Sequence, residues 1–148
     1  MDQLTLSTKQ EIETIHLDIP ASHKYLNVIG ACIKALFERE ESETSQESAA
    51  YQVELAVHEA CTNIINHAYE GSTGRIKVVL SVVEEMKHRL VVDLIDIGQP
   101  FDTALLENLD AGEPRTSGYG LFLMHQLMDK ITYSSDQGQN HWRMEKDL

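Results

Sequence analysis

Basic residues are scarce in this chain. Twelve lysines and arginines stand against 24 aspartates and glutamates among 148 residues, a formal net charge of −12 with neutral histidine. So acidic a surface repels phosphate backbones and anionic lipids, which argues against a direct nucleic-acid or membrane-surface role. A nucleotide held here has to be gripped by backbone amides, a helix end or a metal ion rather than by a basic patch. Cysteine is nearly absent, and Cys32 and Cys61, each among small and apolar neighbours, read as buried free thiols rather than a disulfide framework. No apolar run approaches the roughly 18 residues of a membrane span. The opening Met1-Asp2-Gln3 lacks the basic start of a signal peptide. The expectation is a soluble, intracellular, cytoplasmic protein. Repeats are absent too, and the one low-complexity stretch, Glu38-Arg39-Glu40-Glu41-Ser42-Glu43, reads as a solvated connection. A single domain over residues 1–148 is expected, with 42% hydrophobic residues to close its core.

What is present has a clear order. Leu4–Leu6 and Thr14–Leu17 have the β-branched character of short strands. From Ser22 to Phe37, apolar residues recur at the helical spacing of three and four. Thr44 with Glu47 forms a capping-box pattern that opens a second helix running to about Tyr69, where Gly71 ends it. Valine-rich strands follow at Ile76–Val83 and Leu90–Ile97, joined by the polar stretch Glu84–Arg89. A Gly-, Pro- and polar-rich segment spans Gly98–Ser117, with one helical turn expected near Leu105. A helix at Gly120–Met128 and strands at Lys130–Ser134 and His141–Glu145 complete the chain, the last two joined at Asp136-Gln137-Gly138. Strands and helices do not alternate one for one, so a mostly antiparallel sheet with helices on one face is expected.

Three features can carry chemistry. On the second helix, Val53, Val57, Ala60, Cys61, Ile64, Ile65 and Ala68 share one side, while Gln52, Glu59, Asn63, Asn66 and Glu70 share another. That polar stripe contains no lysine or arginine and uses asparagine, a weak helix former, twice in mid-helix. Glu59 and Asn63 are spaced to meet, and a carboxylate beside an amide oxygen suits a hard cation and an activated hydroxyl or water. Second, Asp96-Ile97-Gly98 puts a carboxylate at a strand end with a glycine just beyond. Third, Ser117-Gly118-Tyr119-Gly120-Leu121 runs into a helix whose free amides can hold an anion without a basic side chain. No Gly-Lys-Ser/Thr follows, so it is not a Walker loop.

In this order the three motifs resemble the ATP-binding fold shared by gyrase, the heat-shock chaperone, histidine kinases and the mismatch-repair ATPase, the Bergerat fold. Within it, Glu59-Ala60-Cys61-Thr62-Asn63-Ile64-Ile65-Asn66-His67-Ala68-Tyr69 is most similar to the anti-sigma-factor serine/threonine kinases. Asp96-Ile97-Gly98-Gln99-Pro100-Phe101-Asp102 and Gly118-Tyr119-Gly120-Leu121 continue the match. The resemblance implies an α+β two-layer sandwich, a mostly antiparallel mixed sheet covered on one face by about three helices. It implies ATP and magnesium, with Glu59 as general base toward an attacking serine hydroxyl and Asn63 holding the metal. Asp96 would accept a hydrogen bond from the adenine amino group, with Gly98 letting the base approach. Gly118, Tyr119, Gly120 and Leu121 would offer amides to the phosphates beneath a lid from Asp102 to Ser117, with Arg115 the nearest cation.

The implied function is an anti-sigma regulatory factor that phosphorylates a serine or threonine of an anti-sigma-factor antagonist and exchanges that partner for a sigma factor. It would act as a homodimer. The second reading is a non-catalytic nucleotide-binding module that works through protein contact alone. Against the wider superfamily, the chain has Pro100 where many relatives have a second glycine, and Gly112 is the only glycine inside the lid.

Overall fold

The computed structural model describes residues 11–39, 46–84, 88–102 and 119–148. Strand β1 is Glu11–Pro20, and after a single 3-10 turn at His23–Tyr25 comes helix α1, Leu26–Arg39. Helix α2, Gln46–Asn63, continues as one wider π-helical stretch, Ile64–Ala68. Strands β2, Arg75–Glu84, and β3, His88–Asp96, precede helix α3, Tyr119–Leu127, and strands β4, Lys130–Asp136, and β5, Gln139–Asp147, end the chain. The strand expected at Leu4–Leu6, the Thr44 cap, the turn near Leu105 and Gly118 lie outside the described residues.

The sheet runs β1-β2-β3-β5-β4, and each neighbouring pair is antiparallel. Register follows from alternation. Val78 pairs with Leu94 and Leu94 with Trp142, while Leu80 pairs with Val92 and Val92 with Met144, so one face is a continuous apolar surface. All six residues of that stripe are buried at 2% exposure or less, under Ile29 and Ile33 of α1, Val53, Val57 and Ala60 of α2, and Leu121 and Met124 of α3. The three helices thus form one layer on one side of the sheet, as the sequence pattern implied.

On the opposite face, Asp93 is buried in mid-strand because two cross-strand neighbours cover it. His141 Nε2 lies 2.6 Å from its carboxylate, and Arg143 Nε donates to it at 2.8 Å. At the β4–β5 turn, Gln137 (φ 53°) and Gly138 (φ 77°) both take the left-handed conformation that a two-residue hairpin with right-handed strand twist requires.

Two elements differ from their expected extent. β1 is longer than Thr14–Leu17 because every residue from Glu11 to Pro20 finds a partner on β2, a pairing that local composition does not display. The second helix is not regular to its end. Tyr69 N–H bonds to the Ile64 carbonyl, five residues back, at 3.1 Å. An extra residue in one turn widens the helix and redirects the chain beyond it, and such turns are frequent at functional sites.

Candidate nucleotide site

The three motifs meet along α2. Its core side holds the helix to the sheet and so fixes the azimuth of Glu59, Asn63 and His67 on the flank toward α3 and the end of β3. A Cβ placed on Gly120 would lie 3.1 Å from Glu59 Oε1. The glutamate carboxylate therefore sits against the first turn of α3, 61 residues further along the chain, where backbone N–H groups have no partner within the helix. Leu121 is 2% exposed, so its side chain is core and only its backbone faces this turn.

A small open cleft lies between the end of α2, the Asp96 turn and β4–β5. Asn63, Ala68, Asp96, Phe101 and Trp142 are among its walls. Phe101 meets Trp142 edge to face at 5.3 Å between ring centroids, and Tyr133 packs on Trp142 at 4.7 Å, giving the cleft an aromatic side for a flat apolar base. Tyr133 Oη also accepts a hydrogen bond from Phe101 N–H at 2.7 Å, fixing the chain just after the turn.

Asp96 is 3% exposed. Burial pushes its carboxyl above the ordinary aspartate range, opposed by hydrogen bonds from Asn140 and the Gly98 amide. Both bonds fall on Oδ1, from Gly98 N–H at 2.9 Å and Asn140 Nδ2 at 2.8 Å. That arrangement leaves Oδ2 for a donor in the cleft. Asn140 is the residue that sequence reasoning missed. It stands opposite Asp96 in the β3–β5 register, 1% exposed. It also donates to the Gly98 carbonyl at 2.9 Å and accepts from the Ser135 hydroxyl at 2.7 Å. Locally it reads as the polar end of a turn; only the strand register reveals its partner.

Gly98 is needed for contact rather than for φ. A Cβ there would lie 2.5 Å from the Ala68 carbonyl oxygen, which accepts a hydrogen bond from Gln99 N–H at 2.8 Å. The end of α2 and the Asp96 turn therefore touch backbone to backbone. Asn66, which shares the polar stripe, is used differently: its Oδ1 lies 3.2 Å from His23 Nε2, tying α2 to the start of α1. Tyr119 opens α3, while Gly118 and Arg115 lie outside the described residues.

Residues 19–146 match the family model described as the histidine kinase-like ATPase domain. A serine-protein kinase RsbW of Bacillus cereus is 30% identical over 141 residues, spanning 87% of this chain and 82% of its own length. A serine-protein kinase RsbW of Halalkalibacterium halodurans is 32% identical over 135 residues, spanning 85% and 78%. The chain belongs to the RsbW serine-protein kinases of the histidine kinase-like ATPase family. A crystal structure of the RsbU and RsbW domains of a Mycobacterium tuberculosis protein superposes with a TM-score of 0.61 at 15% identity, covering 90% of this chain and 32% of that one. At that identity the likeness shows the shared fold, and this chain spans about a third of the length of that protein. Kinase activity with ATP is the family's character.

The described residues fit such a ligand. They contain no cluster of three His, Cys, Asp or Glu side chains able to cage a metal. Magnesium needs no cage, because it commonly keeps its waters and is shared between one or two protein oxygens and substrate phosphates. The Asn63 amide oxygen is a donor of that hard type. No helix among the described residues is long and apolar enough to cross a membrane.

Proposed function

We propose that this chain binds ATP with magnesium and transfers the terminal phosphoryl group to a serine or threonine of an anti-sigma-factor antagonist. Asp96 Oδ2 accepts the adenine amino group, with Asn140 holding the carboxylate in place and Gly98 keeping the approach open. Backbone amides of the Gly118-Tyr119-Gly120-Leu121 motif would bind the phosphates. Asn63 holds the metal, which when bound neutralises phosphate charge. Glu59 accepts the proton of the attacking hydroxyl, and catalysis is positioning and charge neutralisation rather than covalent chemistry by the enzyme. Exchange of the antagonist for a sigma factor then couples phosphorylation to transcription. The working form is a cytoplasmic homodimer, symmetric pairs being the commonest oligomers.

One observation carries this reading: the Glu59 carboxylate lies against the α3 N-terminal turn, its Oε1 3.1 Å from where a Cβ on Gly120 would stand. A carboxylate and a helix N-terminus, distant in sequence, lie side by side, which supports a general base next to bound phosphates. The test is transfer of labelled γ-phosphate from ATP to the purified antagonist, with Glu59→Gln beside the wild type. The wild type should yield phosphoprotein and the variant should lose at least about a hundredfold in rate, the usual scale of general-base catalysis. Equal rates refute the role of Glu59. Nucleotide that stays intact while the antagonist still binds favours the non-catalytic module instead.

A further inference from the structure

Tyr69 is buried at 8% exposure and lines no part of the cleft, yet its hydroxyl makes two backbone hydrogen bonds at the edge of the nucleotide site. Tyr69 Oη accepts from Ile97 N–H at 3.1 Å and donates to the Arg75 carbonyl at 2.7 Å. Ile97 is the middle residue of Asp96-Ile97-Gly98, so its N–H lies in the peptide plane that joins it to the carboxylate-bearing residue. The ring reaches that point for two reasons. The π turn at Ile64–Ala68 adds a residue before it, and Gly74 leaves room, since a Cβ there would lie 2.3 Å from the ring. Ser72 N–H and hydroxyl both donate to the Tyr69 carbonyl, at 2.8 and 2.6 Å, which fixes the backbone that carries the ring. The Ile97 side chain is 73% exposed and contributes little packing to the turn.

We propose that Tyr69 is a positioning residue for 6-aminopurine recognition: its hydroxyl, by holding Ile97 N–H, sets where Asp96 presents its free carboxylate oxygen to the base. The proposal rests on the nucleotide reading above and deepens it. Through Tyr69 and the Gln99–Ala68 bond, the end of α2 and the turn that bears Asp96 are joined at two points. Displacement of a reacting or recognising group by about an ångström is enough to cost large factors in binding or rate.

The experiment compares ATP with purine riboside triphosphate, the same nucleotide without the 6-amino group, by calorimetric titration in magnesium. The wild type should prefer ATP by roughly tenfold or more, the scale of one hydrogen bond to a charged acceptor. Tyr69→Phe, which keeps the ring and removes the hydroxyl, should bring that preference down toward one while binding of purine riboside triphosphate changes little. An unchanged preference overturns the proposal, as does equal weakening of both nucleotides, which would mark general loosening. In an Asp96→Ala background Tyr69→Phe should have no further effect on the preference, and additive effects overturn the proposal as well. Should Tyr69→Phe not fold, amide exchange in the nucleotide-free wild type decides: Ile97 N–H should exchange at least about tenfold slower than in an unstructured peptide, and free exchange refutes the anchoring. A wild type that binds neither nucleotide overturns the nucleotide reading itself, an outcome separate from failure of the Tyr69 role.

Discussion

Replacing Gly98 by alanine asks whether the end of α2 and the Asp96 turn have to touch. The added Cβ would sit 2.5 Å from the Ala68 carbonyl oxygen, 2.7 Å from its carbon and 2.8 Å from the Ala68 Cβ. These are backbone and short side-chain atoms that cannot rotate aside, so one of the two segments has to move. The movement breaks the 2.8 Å bond from Gln99 N–H to Ala68 O, worth about 1 kcal/mol. Overpacking adds about 1–3 kcal/mol. The sum, about 2–4 kcal/mol, should lower the melting temperature by roughly 5–15 °C in a domain of this size. Gly138→Ala is the control. Its φ of 77° strains any other residue, by about 1–2 kcal/mol, but a Cβ there meets nothing within 4 Å and Gly138 is not among the walls of the cleft. Thermal unfolding and ATP titration on both variants separate the effects: Gly98→Ala should lose stability and at least about tenfold in ATP affinity, and Gly138→Ala only stability. If Gly98→Ala binds ATP as the wild type does, the close approach of Ala68 is not what shapes the site.

Asn140→Ala removes a 1% exposed amide, takes from Asp96 Oδ1 one of its two donors and leaves the Gly98 carbonyl without that bond, so denaturant unfolding should show a loss of about 1–3 kcal/mol together with weaker ATP binding; retained affinity contradicts the clamp. Burial holds the Asp96 carboxyl above the ordinary value of 3.8, so nucleotide affinity should fall on acidification before ordinary aspartates titrate. Because the folded-state value is the raised one, the Asp96 contribution to stability runs the other way: it is fully present below the unfolded value and is lost as pH rises through the folded one. ATP titrations and melting curves against Asp96→Asn across that acidic window check both signs, and an affinity flat with pH refutes the role of the buried carboxylate. Gly120→Ala presses a methyl to 3.1 Å from Glu59 Oε1, which should lower phosphoryl transfer by about tenfold with little change in melting temperature; unchanged turnover shows that the carboxylate acts elsewhere.

Most of the fold was legible because alternation and helical spacing report burial directly. Val78 and Leu80 on β2, or Ile29 and Ile33 on α1, announce a core side by period alone. The residues proposed for the site stand out in the sequence for a different reason: Asn63, Asp96 and Gly120 are poor choices for the elements that carry them, and Glu59 stands one helical turn from Asn63. A mid-helix asparagine and a carboxylate at the end of an apolar strand mark places where packing is not the purpose. Asn140 was illegible because its partner is 44 residues away and the pairing depends on strand register, which no local pattern encodes. The π turn was hidden for a related reason. Ile64-Ile65-Asn66-His67-Ala68 has ordinary helical composition, and the extra residue is accommodated through contacts of Tyr69 and Ala68 with residues 97–99. The length of β1 likewise follows from β2 rather than from its own residues.

The most direct measurement is a calorimetric titration of the chain with ATP, with and without magnesium, for the wild type and Asn63→Ala. If Asn63 holds the metal that bridges the phosphates, the wild type binds ATP, magnesium strengthens that binding, and Asn63→Ala loses it. Absence of binding to the wild type, or magnesium dependence that survives in Asn63→Ala, would contradict that role and the nucleotide site with it.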